Sequence, residues 1–331
     1  NIEEQDYFEL VMETAQRGLR EFMKNDPLTV EMQDIDQPDV MLWCIWALQQ
    51  YAKEAGKESC LKLYGDFLRE MMTYIENGKH PNLFLHANGL LYAEGKDRAI
   101  TWMDGMLDGK PVNPRSGYIV EFNALWYNNL KFVAWLFSDT SDTEYASHLE
   151  QMAEECKTAF IDTFMNNYGY LYDYVDGNMV DWSVRPNMIL AAALDYSPLD
   201  QSQKKSVIDI CTRELLTPKG LRSLSPKSGG YNPICTGDRD YRTRMYHQGT
   251  AWPWLGGFYL EACLKLYKRT RLSYVERQLI GYEDEVLNHC LGTIPEYFDG
   301  NPPYHGRGAI SFAMNVGAVL RTLALLEKYK Y

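Results

Sequence analysis

The stretch RMYHQGTAWPWLGGFYLEACLKLY, residues 244–267, changes character halfway along its length. Histidine, glutamine and two tryptophans come first, and an apolar segment typical of a buried helix follows. Pro253 suits the junction, because proline is tolerated in the first turn of a helix. A helix in a plain core needs no polar and aromatic residues at its start, whereas a pocket for a flat, hydroxyl-rich molecule does. The stretch therefore predicts an inner helix whose N-terminus faces a binding pocket.

Helical periodicity extends along most of the chain on both sides of this stretch. In the first segment Tyr7, Val11, Ala15, Leu19 and Phe22 fall on one stripe, spaced three or four residues apart. No sustained alternation of apolar and polar residues predicts long strands, although short hairpins fit within the loops. By this criterion we predict ten helices, near 3–24, 38–54, 58–77, 120–138, 142–165, 184–194, 200–215, 250–270, 273–291 and 309–329.

The connections between these helices alternate in length from the second helix onward. Short connections make antiparallel helix hairpins, and loops longer than about 15 residues are uncommon unless they are functional. Hairpins stacked around a ring place all the long loops at one end. The short connections are 55–57, 139–141, 195–199 and 271–272, and the long ones are 78–119, 166–183, 216–249 and 292–308.

This alternation predicts an all-α fold, an α/α toroid with two concentric layers of helices, formed by residues 1–331 as a single domain. An open α-solenoid is the alternative, but the helices carry no repeating sequence signature. A complete ring of six hairpins needs twelve helices. Because we predict ten, either the pattern misses one pair of helices or the toroid is incomplete, and the family resemblance described below favours a toroid that is incomplete at its N-terminus.

The composition restricts the partners. The net charge of −12 over 331 residues argues against nucleic acid and anionic membranes, because it repels phosphates. No apolar run approaches the 18 residues of a membrane span. The seven cysteines are scattered without a C-x-x-C pair, which favours reduced thiols and a cytoplasmic location. The oligomeric state is left open.

The first long loop carries a candidate acid. Asp104 follows Trp102 by two residues; the indole offers a stacking surface for a sugar ring and raises the pKa of a neighbouring carboxyl. Arg115 is a candidate for fixing a hydroxyl or a second carboxylate. Glu121 and Asn123 then open a helix as further candidates for substrate binding. The alternative is a solvated turn, with Glu121 serving only as a first-turn helix acid.

The second and third long loops supply candidate hydroxyl-binding residues on the same predicted face. Arg185 and Asn187 precede an alanine-rich helix, and structural capping explains them equally well. The third loop ends in the stretch quoted first, with the His247-Gln248 pair and two indoles. No cysteine or second histidine lies near His247, so we predict no metal site. The two indoles, Trp252 and Trp254, are candidates for stacking on the sugar.

The fourth long loop adds a second carboxylate. Glu296 lies in a proline- and glycine-rich segment beside Tyr297 and Phe298. Two acids, aromatic platforms and hydroxyl-binding residues on one face form a constellation typical of glycoside hydrolases. Neither a Gly-x-Gly-x-x-Gly loop nor a Gly-x-Ser-x-Gly motif occurs, and no cofactor is predicted.

Five ordered motifs, TWMDG, VRPNM, GLRSLSP, YHQGTAWPW and IPEYFDGNPP, together resemble the C-terminal amylo-α-1,6-glucosidase domain of glycogen debranching enzymes. The resemblance implies an (α/α)6 barrel that hydrolyses α-1,6-linked glucose at glycogen branch points with inversion. It implies that Asp104 is the general acid and Glu296 the general base. It also implies that the arginine-proline-asparagine and histidine-glutamine motifs line the sugar site, through Arg185, Asn187, His247, Gln248, Trp252 and Trp254.

The sequence departs from the family pattern near its beginning. The family has a Trp-Gly-Arg-Asp segment that does not occur here, and Asp39 is the nearest match to the aspartate of its Val-Asp-Ala-x-Leu-Trp motif. We therefore expect the chain to be the C-terminal part of a longer enzyme. Two other functions stay open: a glucan-binding fragment without turnover, and a related α/α-toroid glycosidase with another sugar specificity.

Overall fold

The computed structural model of the chain describes residues 2–29, 32 and 34–330, with only the backbone of residues 2–5. Helices dominate it, as the periodicity predicts. Some begin at side chains that cap free N–H groups; Asp200, for example, accepts from the backbone N–H of Gln203 at 2.7 Å. The helices are α1 (Ile2–Lys24), α2 (Pro38–Ala55), α3 (Lys57–Glu76), α4 (Val120–Phe137), α5 (Thr143–Phe164), α6 (Ile189–Ala193), α7 (Gln201–Glu214), α8 (Arg239–Met245), α9 (Pro253–Tyr267), α10 (Leu272–Ile280) and α11 (Ala313–Lys330).

The prediction of an all-α fold is wrong in one respect, because the long loops contain short strands. Each strand has only two or three residues, too few for period-two alternation to appear in the sequence. The strands are β1 (Leu83–Leu85), β2 (Leu91–Ala93), β3 (Met106–Leu107), β4 (Lys110–Pro111), β5 (Gly117–Ile119), β6 (Tyr174–Asp176), β7 (Met179–Val180), β8 (Leu216–Thr217), β9 (Gly220–Arg222), β10 (Ala251–Trp252), β11 (Tyr297–Phe298) and β12 (Gly306–Arg307).

These strands join the long loops in pairs. One antiparallel sheet, in the order β1-β2-β5-β6-β7, connects the first and second long loops. A second sheet, in the order β12-β11-β10-β9-β8, connects the third and fourth. Each sheet also contains the strand that leads directly into an inner helix, β5 before α4 and β10 before α9. The N-termini of these two helices are therefore fixed to the face that carries the loops.

The inner helices pack in sequence order, α2 on α4, α4 on α6, α6 on α9 and α9 on α11. One hydrophobic core runs through them, from Met12 to Leu326. At the far end of the row, α11 is joined to α2 by side chains: Arg321 donates to Gln50 at 2.9 Å, and Lys328 pairs with Glu54 at 2.7 Å. A cavity lined by residues of both helices lies beside these contacts.

Apolar side chains are exposed on the first and last helices. Tyr7 and Val11 of α1 are 73% and 65% exposed, and Leu320 and Leu323 of α11 are 60% and 44% exposed. None of the described helices is long and apolar enough to cross a bilayer.

Candidate active site

The two candidate catalytic carboxyls lie close enough to interact electrostatically. Asp104 lies in the turn between β2 and β3, and Glu296 directly precedes β11. Burial raises the pKa of the Asp104 carboxyl, although part of the side chain is exposed, and the negative charge of Glu296 raises it further. The first and fourth long loops therefore bring their acids to one place.

Hydrogen bonds fix the carboxylate of Glu296 on both oxygens. Its Oε1 accepts from the hydroxyl of Tyr246, and its Oε2 accepts from the backbone N–H of Ala309 at 2.8 Å. Burial and the charge of Glu296 raise the pKa of Tyr246, so this phenol keeps its proton and donates. Gly308 permits the approach, since a Cβ there would lie 2.2 Å from Oε2 of Glu296. Sequence reasoning did not select Tyr246, although it directly precedes His247.

Trp102 is held by a chain of hydrogen bonds that starts in the second long loop. Its indole N–H donates to Asn187 at 2.7 Å, and the amide of Asn187 donates to Asp173 at 2.7 Å. Asp173 in turn pairs with Arg115 at 2.8 Å. This chain sets the orientation of the indole, which is half-buried beside Asp104.

Arg115 and Glu121 form a buried ion pair. The guanidinium makes two hydrogen bonds to the Glu121 carboxylate, and both side chains are 3% exposed. Asn123 is buried as well; it exchanges hydrogen bonds with the backbone of Leu91 and so binds α4 to β2. These three sequence-predicted residues lie beneath the site and support its wall.

Breaking that ion pair is expected to cost stability. Arg115→Leu leaves the carboxyls of Glu121 and Asp173 buried without a counter-ion, which costs about 3–5 kcal/mol in free energy of unfolding. Urea unfolding followed by circular dichroism measures this cost. The matched control is Arg98→Leu, which removes an exposed pair with Asp36 and should cost at most about 1 kcal/mol. Equal costs for the two variants would contradict the supporting role of Arg115.

Arg185 connects the loops to one another. Its guanidinium donates to the carbonyls of Ser223 at 3.0 Å and His247 at 2.9 Å, and to the side chains of Asn113 at 3.3 Å and Gln248 at 3.2 Å. The guanidinium is thus engaged with the loops around it rather than turned toward a ligand.

The aromatic residues of the quoted stretch form a buried stack. His247 is fully buried; its ring lies nearly parallel to Trp252 at 5.4 Å, and Trp252 stacks on Tyr297 at 5.4 Å. Burial and the neighbouring Arg185 lower the pKa of His247 to about 3, so the imidazole is neutral. Trp252 is only 3% exposed, so this stack lies behind the site surface. Trp254 is also buried, and it is one of the residues that line the cavity between α2 and α11.

Asp39 is a further acidic residue at this centre, outside the set selected from the sequence. Burial, then the charge of Glu121 and more weakly that of Asp104, raises the pKa of Asp39 to about 7. It lies in the first turn of α2, on the same face as Trp43 and Trp46 at helical spacing. That spacing of one acid and two indoles was the available sequence signal.

The raised pKa of Asp39 makes stability depend on pH. The folded chain holds this proton more tightly than the unfolded chain, in which aspartate has a pKa of about 3.9. The free energy of unfolding should therefore fall as pH rises from about 4 to about 7. Asp39→Asn should flatten that slope, measured by urea unfolding at several pH values. Asp36→Asn, which alters a partly exposed carboxylate, should keep it; identical slopes in all three proteins would refute the assignment.

Comparison with known proteins places these features in a family. The model of the amylo-alpha-1,6-glucosidase family matches residues 30–321. Glycogen debranching enzyme of Saccharomyces cerevisiae is 28% identical over 254 residues, a match that covers 60% of this chain and 16% of the yeast enzyme. The chain thus spans about one sixth of the length of that relative.

Two solved structures share the fold. A sialidase superposes with a TM-score of 0.66 at 15% identity, covering 88% of this chain and 26% of its own. The GH63 mannosylglycerate hydrolase of Thermus thermophilus superposes with a TM-score of 0.61 at 11% identity, covering 91% and 83%. The chain is thus helix-rich with structural neighbours of the (α/α)6 type, and it has a sheet component in its loops. Because the family model covers most of its length, the chain belongs to the amylo-alpha-1,6-glucosidase family of glycoside hydrolases.

Proposed function

We propose that this chain hydrolyses α-1,6-linked glucose at the branch points of glycogen or a related glucan, with inversion at the anomeric carbon. Asp104 is the general acid and Glu296 the general base. The observation that carries the proposal is the difference between the environments of these neighbouring carboxyls. Burial raises the pKa of the Asp104 carboxyl, which favours its acid form, while two donors orient the carboxylate of Glu296.

The proposed reaction uses Asp104 as the proton donor and the carboxylate of Glu296 as the proton acceptor. Asp104 gives its proton to the glycosidic oxygen as the bond from that oxygen to C1 breaks. Glu296 removes a proton from a water molecule whose oxygen forms the new bond to C1 from the opposite face. The products are β-glucose and the debranched chain, and exchange with solvent returns both carboxyls to their starting states. An inverting enzyme needs its carboxyls about 6.5–9.5 Å apart, which is our expectation for this pair.

We also propose that residues 1–331 act as one domain, which the continuous core from Met12 to Leu326 supports. Trp102 is the described aromatic side chain best placed to contact the reacting glucose, since it is half-buried beside Asp104. The buried residues behind it, among them Arg115, Arg185 and Asn187, would then act by holding the wall in place.

Proton NMR of the first product tests this function. A maltooligosaccharide carrying one α-1,6-linked glucose should release β-glucose, which then mutarotates. A linear maltooligosaccharide of equal length is the control and should release glucose far more slowly. Initial release of α-glucose would contradict inversion. Equal rates on both substrates would contradict α-1,6 specificity, and binding without release would indicate a glucan-binding module.

A further inference from the structure

Three side chains with metal-binding chemistry meet shortly after α10, those of Glu285, His289 and Cys290. Their ligand atoms, a carboxylate oxygen, an imidazole nitrogen and the thiol sulfur, all lie within 4.8 Å of one another. Nδ1 of His289 is 2.8 Å from Oε2 of Glu285 and 3.5 Å from Sγ of Cys290. Within the described ranges, no other three histidine, cysteine or acidic side chains bring their ligand atoms so close.

A local change of helix type gathers these side chains. In an α-helix, positions 285 and 289 are neighbours on one face, but position 290 is not. Here Glu285–His289 form a π-helical turn, and the backbone N–H of Cys290 donates to the carbonyl of Glu285 at 2.7 Å. Such turns are rare and frequently lie at functional sites. Because the spacing unites the three ligands only in a π-helical turn, the periodicity of the sequence did not indicate this group.

The ligand types decide which ion fits. Thiolate and imidazole suit zinc and similar transition metals, whereas magnesium and calcium prefer oxygen ligands. In a tetrahedral zinc site the ligand atoms lie about 3.3–3.6 Å apart, which follows from metal–ligand bonds of about 2.0–2.3 Å. The separation between His289 and Cys290 falls within this range, and that between His289 and Glu285 is shorter because the two share a hydrogen bond.

An ion can reach the group from solvent through a cavity of about 590 Å³. The residues that line it are Glu285, His289, His305, Gly306 and Arg307. The two cations beside the group are engaged elsewhere. Arg307 pairs with Asp299 at 2.7 Å. Lys219 donates to the carbonyl of Gly281 at 2.6 Å and lies 3.5 Å from Oε1 of Glu285, which leaves Oε2 for an ion.

The group packs against the hairpin of β11 and β12, which follows the proposed base. Gly306 of β12 leaves room for the imidazole, since a Cβ there would lie 3.0 Å from Nδ1 of His289. Gly306 pairs with Phe298 of β11, and Glu296 directly precedes that strand. An ion that fixes the imidazole of His289 therefore fixes the surface on which this hairpin packs.

We propose that Glu285, His289 and Cys290 bind one Zn²⁺ ion, with a water molecule from the cavity as the fourth ligand, and that the ion stabilises the β11–β12 hairpin. Bonds form from the metal to Oε2, Nδ1 and Sγ. The S–H bond of Cys290 breaks and its proton goes to solvent, while the neutral imidazole keeps its proton on Nε2. The inference does not rest on the proposed function, because no step of glycoside hydrolysis uses this site.

Cobalt(II) is the probe for the ligands, because its bond to a thiolate absorbs strongly in the near ultraviolet. The chelator-treated chain should bind one equivalent with this absorption and lose the absorption when Zn²⁺ displaces the cobalt. His289→Gln should bind at least about 10²-fold more weakly, since even residues that only support metal ligands contribute 10–100-fold. A missing absorption would overturn the proposal, and so would its persistence in Cys290→Ser.

The matched control is His148→Gln, because His148 is also exposed and pairs with a carboxylate, that of Glu76 at 2.5 Å. Its affinity for cobalt and zinc should equal that of the unmodified chain. Equal affinities in His289→Gln and His148→Gln would overturn the assignment. The side chain of His289 is 52% exposed, so its replacement tests the site even if melting curves show that Cys290→Ser is unfolded.

The effect on the hairpin is measured without substrate. Zn²⁺ should raise the melting temperature of the unmodified chain and of His148→Gln but not that of His289→Gln, because an ion that binds only the folded state stabilises it. Hydrogen exchange followed by mass spectrometry should show slower exchange of residues 297–307 when Zn²⁺ is present. Exchange that Zn²⁺ leaves unchanged would overturn the stabilising role of the ion.

Discussion

Asp104→Asn is expected to lower kcat on the branched maltooligosaccharide by about 10²–10⁴-fold, the usual contribution of a general acid. The amide has nearly the shape of the carboxyl but no acidic proton for the glycosidic oxygen. Fluoride leaves without protonation, so the same variant should lose far less on α-glucosyl fluoride. The two substrates together therefore separate a lost acid from a disturbed fold.

Asp108→Asn is the matched control, because Asp108 lies in the same loop and is exposed. Its kcat should stay within about twofold of the unmodified chain, as for surface positions away from buried features. A loss for Asp104→Asn of the same size on both substrates would mean that Asp104 positions the sugar and does not donate the proton.

Glu296→Gln should lower kcat on both substrates by about 10²-fold or more, since water must be activated whichever group leaves. The amide oxygen can still accept a hydrogen bond from Tyr246, whereas the amide nitrogen cannot accept from the backbone N–H of Ala309, so the variant loses one of the two hydrogen bonds. Azide needs no deprotonation to attack C1, and adding it should restore turnover of α-glucosyl fluoride to the Gln variant. In an inverting site the product is β-glucosyl azide, which proton NMR identifies.

The control for this second variant is Glu283→Gln, an exposed carboxylate near the end of α10. Its turnover should match that of the unmodified chain and show no response to azide. Glucosyl azide of the α configuration would contradict inversion. Undiminished turnover of Glu296→Gln would remove Glu296 from the mechanism altogether.

The helices could be predicted from the sequence because apolar residues recur at helical spacing over long segments. The predicted ranges 38–54 and 120–138 differ from α2 and α4 by one residue at one end. The strands could not be predicted from the sequence, because their pairings are very short. β10 and β11, for example, are paired only at Ala251 and Phe298, and this pairing depends on contacts between loops that are distant in the sequence. The seven-residue helix α8 was not predicted either, because it spans only about two turns and has no buried residue that would produce a periodic apolar pattern.

In the candidate site, too, some features can be predicted from the sequence and others depend on the fold. The motifs single out Asp104 and Glu296 as the candidate acid and base, but the role of each neighbouring side chain depends on its burial, which is a property of the folded chain. Trp252 and Trp102 have the same side chain, yet one is stacked behind the surface and the other is half-buried at it. Asp39 lies in the first turn of α2, and α2 meets α11 through the contact between Gln50 and Arg321, which are 271 positions apart in the sequence.

Arg185 links the two groups of loops that carry the candidate acid and the candidate base. The proposed acid belongs to the loops of one sheet and the proposed base to the loops of the other, and the guanidinium of Arg185 bridges the two sets. Its four hydrogen bonds act as a fixed spacer between two groups of loops that share no strand. A lysine there cannot reproduce the planar fork of donors. We therefore expect substitutions of Arg185 to lower the reaction rate and the stereochemical purity of the product, even though the side chain need not contact the sugar.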